Sequence, residues 1–194
     1  MAGTPAYRRL PVAERREAIL GAATALIAAA GYTGVSLEAF ASAAGMTGPG
    51  LLHHFPTKEH LLVAVLERRD RLDAEASAGE AWPGTTVTDP AGARAFADQL
   101  VERNLGQREV IRLYAVLSAE SLVPTHPAHE YFQRRLDDAR RGLATHLLSW
   151  HPDPDAAAVE LLSFLDGLQL NWLRDADVEF RAVWRSFADR FFVA

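Results

Sequence analysis

No stretch of this sequence alternates apolar and β-branched residues for long enough to propose a strand. A half-buried strand needs that period of two, whereas apolar residues recurring at three and four positions bury one face of a helix. The chain is therefore expected to be all-α, and its architecture is set by where Gly and Pro interrupt the helical pattern. Ile19, Ala22, Ala23, Leu26, Ile27 and Ala30 share one face of a first helix from about Val12 to Ala30, and Gly31 is a natural stop. Ser36 fits an N-cap for a two-turn helix from Leu37 to about Ala44, with Glu38 in its first turn favouring the helix dipole. Thr47 caps the next helix, to about His54, and Pro49 lies in its first turn, where a missing N–H costs nothing. Phe55-Pro56 breaks the chain, and Thr57 opens a longer helix to about Ala78.

The segment from Gly79 to Gly92 is rich in Gly, Pro and Thr and reads as a loop. Five further helices are expected beyond it, at about Ala93–Leu105, Arg108–Leu122, Pro127–Trp150, Pro154–Asp175 and Asp177–Val193. The chain then divides into a flexible arm at 1–10, a helix-turn-helix unit at 11–57, a connecting helix at 58–78, a loop at 79–92 and a larger helical domain at 93–194.

Composition excludes several classes. The 194 residues contain no cysteine, so neither a disulfide framework nor a thiolate metal site is available. The N-terminal segment lacks the pattern of a signal peptide, and the Ala-rich run Ile19–Ala30 is too short and too weakly apolar to span a membrane. A cytoplasmic protein with no membrane partner is expected. The net charge of −5 does not advertise nucleic-acid binding. It is unevenly spread, however: Met1–Lys58 carries Arg8, Arg9, Arg15, Arg16 and Lys58 against Glu14, Glu17 and Glu38.

Two short helices joined by a tight turn containing Gly are the pattern of a helix-turn-helix. Here the turn is Gly45-Met46-Thr47, and Leu37, Phe40, Ala41, Ala44, Leu51 and Phe55 supply a small core. The pattern alone fits a DNA-binding unit and an ordinary hairpin of a bundle equally. The segment Arg15 to Asp70 settles more. Arg16, Ile19-Leu20, Ala29-Ala30-Gly31-Tyr32, Ser36-Leu37, Ala43-Ala44-Gly45-Met46 and Leu51-x-His53-His54-Phe55-Pro56-x-Lys58-Glu59-x-Leu61 together strongly resemble the DNA-binding domain of the tetracycline-repressor-like (TetR) regulators.

That resemblance implies a homodimer on a palindromic double-stranded operator, with a recognition helix in each of two major grooves. It implies phosphate contacts from Ser36 and Thr47, a flanking backbone clamp from His54 and Lys58, and Gly48, Pro49, Gly50 and His53 nearest the base edges. Two departures stand out. The family commonly has Tyr where this chain has Leu52, which has no hydroxyl for a phosphate and offers a methyl surface instead. No cation stands at Gly48. Base discrimination is then expected from few groups: Thr47, Leu52, His53, Arg8 or Arg9 of the arm, and the shape of the DNA. The resemblance also implies a ligand-responsive regulator, most simply a repressor, with no cofactor.

The rest of the sequence yields expectations about sensing and assembly. The helix beginning at Pro154 is apolar almost all round, so it must be covered on two sides, either within a monomer or by a second copy. Val159, Leu162, Leu165 and Trp172, with Phe180, Val183, Trp184 and Phe187 of the last helix, are expected to form a two-fold interface. Phe96, Leu100, Tyr114 and Leu117, with Ser118, Ser121, His146 and Asn171 as polar groups, are expected to line an effector pocket for an apolar or aromatic molecule. The alternative for most of these is plain core. His53, His54, His60, His126 and His129 do not form a recognisable metal set, and no nucleophile–base pattern points to an enzyme. A second reading is a small-molecule-binding or adaptor protein of the same fold without sequence-specific DNA binding.

Overall fold

The computed structural model describes residues 11–32, 34–77 and 86–193. Among these the chain is all-helical, with no strand: α1 Val12–Ala30, α2 Leu37–Ala43, α3 Gly48–His54, α4 Lys58–Ser77, α5 Pro90–Leu105, α6 Arg108–Glu120, α7 His129–Gly142, α8 Pro154–Arg174 and α9 Phe180–Phe191. Half of the proposed 79–92 loop and all of the arm lie outside the described residues. Two compact units are distinguished, Met1–Val65 and Leu66–Ala194, and the division falls inside α4.

In the first unit the buried side chains are Ile19, Leu20, Ala23 and Ile27 of α1, Phe40 and Ala41 of α2, Leu51 of α3, Phe55, and Leu61, Leu62, Ala64 and Val65 of α4. Leu20 replaces Ala30 of the expected stripe, Ala30 being exposed at the helix end. The two breaks are set by backbone as much as by side chain. Gly31 and Gly45 have φ of +69° and +65°, a region that costs other L-residues about 1–2 kcal/mol. Gly31 follows α1 directly and Gly45 follows the Ala44 cap of α2, and each redirects the chain. Leu51 is 0% exposed. Leu51→Ala is expected to lower the unfolding free energy by about 2–5 kcal/mol, as read from urea denaturation. A loss of only a few tenths would show that the α3 anchor is not packed.

The second unit is built on α8. Ala157, Ala158, Leu161, Leu165 and Leu168 share a core with Ala93, Ala97 and Val101 of α5, with Leu143, Ala144, Leu147 and Leu148, and with the stripe Phe180, Trp184, Phe187, Ala188 and Phe191 of α9. This corrects the expected interface. Leu165, Phe180, Trp184 and Phe187 are interior residues of the protomer, Trp184 being 3% exposed with its indole N–H donating to Asp98 Oδ1 at 2.6 Å. Phe164 stacks on Phe187 with centroids 3.7 Å apart. The aromatic stripe of α9 is consumed by the body's own core because α9 has a single apolar face and α8 lies beneath it. Leu162 and Trp172 are half-buried. Val159 and Val183 remain outward, at 42% and 41% exposure.

Element ends differ from expectation where a side chain reshapes the turn. α5 begins at Pro90 rather than Ala93, because Asp89 caps it by accepting from Gly92 N–H at 2.8 Å. The expected single helix 127–150 starts at His129 and gives way at Gly142 to a π-turn, Leu143–Leu147, closed by Leu148 N–H donating to the Leu143 carbonyl at 2.8 Å. α9 starts at Phe180 because Asp175 accepts from Asp177 N–H at 2.9 Å and holds that stretch as a turn.

Candidate nucleic-acid interface

The geometry of α2 and α3 follows from two hydroxyl caps. Ser36 Oγ accepts from Ala39 N–H at 3.1 Å, and Thr47 Oγ1 accepts from Gly50 N–H at 3.3 Å. Each hydroxyl is thereby used as an acceptor and keeps its own hydrogen to donate. The turn between the helices is closed by Gly45 N–H to the Ser42 carbonyl (3.0 Å) and Met46 N–H to the Ala41 carbonyl (2.9 Å). Leu51 anchors α3 inward, and Thr47, Pro49, Leu52 and His53 are exposed, Leu52 at 41%. Gly48 and Gly50 are half-buried. A Cβ at Gly48 would meet nothing within 4 Å, while one at Gly50 would meet only the cap, 3.2 Å from Thr47 Oγ1 and 3.9 Å from Met46 Cβ. The leading end of α3 is therefore slim by composition, and there is room for a larger residue at Gly48.

The far end of α3 is held by a residue to which the sequence reading gave no role. Arg16 of α1 donates from Nη1 to the His54 carbonyl at 3.2 Å, and its guanidinium carbon lies 4.2 Å from the Phe55 ring centroid. It caps the C-terminus of α3 as a cation should and spends part of its charge doing so. Nothing in the spacing of Arg16 signals this, since its partners are a carbonyl and a ring far along the chain. Lys58 is likewise engaged: Nζ donates to the Tyr32 carbonyl at 3.1 Å and lies 5.7 Å from the Tyr32 ring centroid. Two of its three N–H donors remain for an anion. His53 and His54 meet edge to face, with ring centroids 5.7 Å apart. Thr57 accepts from His60 N–H at 3.3 Å, so it caps α4. Among the described residues, no group of three His, Asp or Glu side chains is arranged to hold a metal, and no helix is long and apolar enough to cross a membrane.

None of the eight residues named for an effector pocket lines the cleft described in the larger unit. Leu117 is buried, Phe96 packs against the α5–α8–α9 core, and Ser118 and Asn171 are exposed. Leu100 and His146 are half-buried. Ser121 is buried with its hydroxyl donating to the Ser118 carbonyl at 2.7 Å. A cleft of about 390 Å³ in this unit is lined instead by Glu102, Leu105, Gly106, Trp172, Val178, Glu179, Phe180 and Arg181. Tyr114 is the exception among the eight: it belongs to a polar cluster with Asp70, Tyr131 and Arg135, none of which the apolar periodicity could single out.

A capped two-helix reader on a three-helix core, followed by an all-helical body, is the architecture of helix-turn-helix regulators. Residues 19–65 match the family described as bacterial regulatory proteins, tetR family. This N-terminal segment of the chain is similar to the reading head of that family. It is 38% identical over 73 residues to the transcriptional repressor KstR of Mycolicibacterium smegmatis, an alignment covering 37% of this chain and 36% of that one. It is 38% identical over 65 residues to the transcriptional regulator RutR of Escherichia coli, covering 34% of this chain and 31% of that one. The chain thus spans about a third of the length of these relatives. Likeness over the whole chain is in the fold. A TetR-family regulator from Rhodococcus sp. superposes with TM-score 0.64 at 25% identity, covering 92% of this chain and 97% of that one. A TetR transcription regulator from Haloarcula marismortui does so with TM-score 0.73 at 19% identity, covering 92% and 96%.

Proposed function

We propose that the protein is a ligand-responsive, DNA-binding transcriptional regulator that acts as a homodimeric repressor on a palindromic operator. The observation that carries this reading is the exposed face of α3 and its caps, Thr47 to His53, within the segment that matches the TetR family. The relative KstR is itself a transcriptional repressor. In this reading Ser36 and Thr47 donate their free hydroxyl hydrogens to phosphates. His54 and Lys58 hold the flanking backbone, and Gly48, Pro49, Gly50, Leu52 and His53 lie against base edges. Seven residues of α3 rise about 10 Å, a length that fits the major groove, about 12 Å wide. The second copy covers the outward side of α8 and α9, where Val159, Leu170 and Val183 are exposed. The effector acts by favouring a state in which α4 is displaced and the two reading heads lose register, a coupling of about 1–3 kcal/mol.

Lys58→Ala is expected to weaken binding to all duplexes alike and to lower the slope of log affinity against log salt by about one. Loss of the Tyr32 contact should also cost about 0.5–1.5 kcal/mol of stability. Binding isotherms at several salt concentrations check this, and a change in operator preference would contradict the backbone role.

A second reading, a small-molecule-binding or adaptor protein without sequence-specific DNA binding, is favoured by one observation: α3 carries no cation or amide ahead of His53. Footprinting on the DNA upstream of its own and neighbouring genes separates the two. A symmetric protected segment is expected, and uniform weak protection would favour the second.

A further inference from the structure

The larger unit contains a carboxylate held by donors from two other helices. Asp70 of α4 accepts from the Tyr114 hydroxyl of α6 at one oxygen (2.5 Å) and from the Tyr131 hydroxyl of α7 at the other (2.7 Å). Arg135 Nε, one turn along α7, forms an ion pair with the second oxygen at 3.3 Å, without hydrogen-bond geometry. Arg135 also stands over the Tyr114 ring, 4.6 Å from its centroid, with Arg69 at 5.2 Å. Arg69 Nε also donates to Gln107 Oε1 at 3.0 Å. Phe132 packs edge-on against Tyr131 and Tyr114. Burial pushes both phenols upward, so they stay neutral donors.

Two neutral hydroxyls and a guanidinium converging on two oxygens are the donor set that recognises a carboxylate. Both hydroxyls and the guanidinium come from the α6–α7 pair, and the carboxylate comes from α4. We propose that Tyr114, Tyr131 and Arg135 form a carboxylate receptor whose resting occupant is Asp70, and that the effector is a small organic acid that takes Asp70's place. This rests on the ligand-responsive reading above and gives it a ligand class. Exchange of one carboxylate for another leaves the receptor satisfied while unpinning α4 from α6 and α7, so ligand occupancy is converted into release of that helix. A monoanion fits better than phosphate, because Asp166 of α8 also acts on Arg135 and would oppose added negative charge. A tethered carboxylate has a high effective concentration. A simple acid therefore competes poorly with Asp70, and the natural effector must add apolar contact, for which the Phe132 ring is at hand.

The receptor is exposed to test by removing its occupant. Asp70→Ala should melt several degrees below the unaltered protein in sodium chloride. Formate or acetate at equal ionic strength should restore most of that loss saturably, and inorganic phosphate should not. Neither acid should move the unaltered protein, nor the Asp70→Ala/Arg135→Ala double variant. Equal shifts in all three proteins, or no restoration by either acid, would overturn the proposal. Should Asp70→Ala fail to fold in chloride, recovery of helical circular dichroism on refolding in formate becomes the readout, and failure in formate as in chloride overturns it too. Melting requires no DNA, so a negative result here leaves the regulator reading standing, and absence of an operator leaves the receptor standing.

Discussion

Gly50→Glu is expected to abolish duplex binding while leaving helix content and assembly intact. Gly50 sits in the first turn of α3, where a Cβ presses only on the Thr47 cap at 3.2 Å, a contact relieved by a small hydroxyl rotation. Glu is also a better helix former than Gly by roughly 0.5–1 kcal/mol, so the fold should tolerate it. At the DNA the balance reverses. The new carboxylate would lie among phosphates on a helix whose sparse contacts leave little to compensate, and its bulk would hold the backbone of α3 off the groove. Electrophoretic mobility shift and circular dichroism on the same preparation check both halves. A fully binding Gly50→Glu would mean that α3 does not enter the groove.

Trp184→Ala is expected to destabilise the body by about 3–5 kcal/mol, a large share of the roughly 5–15 kcal/mol that holds a domain together. At about 2–4 °C per kcal/mol for a chain of this size, the melting temperature should fall by about 6–20 °C. The reason is position: Trp184 is interior, touches Phe164, Phe187 and Phe192, and donates to Asp98. Asp98 keeps its pair with Arg94 at 3.0 Å, so the loss is mainly one of packing. Were Trp184 an interface residue instead, the variant would dissociate on sedimentation with its protomer spectrum and melting unchanged.

That contrast shows where sequence was informative and where it was not. The reading head was legible because its signals are local: Ser36 and Thr47 are caps by type, Gly45 is the turn, and Leu51 and Phe55 fall where apolar anchors must. The body was legible as helices but not as partners. An apolar stripe such as Phe180–Trp184–Phe187 states that a face is covered without stating by what, and the covering elements, α8 and α5, are distant in sequence. Caps hidden in turn-rich stretches moved element ends, as Asp89 did for α5. The Asp70–Tyr114–Tyr131–Arg135 cluster was invisible for a different reason. Its members come from three helices, and Asp70, Tyr131 and Arg135 break the apolar period, so a pattern search keeps only Tyr114 and assigns it to a pocket. Arg16 and Lys58 resemble DNA-binding cations in the sequence, yet each first satisfies a carbonyl of its own domain.

The central claim is that α3 reads a sequence despite its lack of cations and amides ahead of His53. Selection of random duplexes by the full-length protein, followed by sequencing of the retained pool, tests it directly. The account predicts enrichment of one palindrome with half-sites about one helical turn or somewhat more apart, with thymine favoured opposite Leu52. A pool that retains affinity but shows no enriched symmetric site would contradict it.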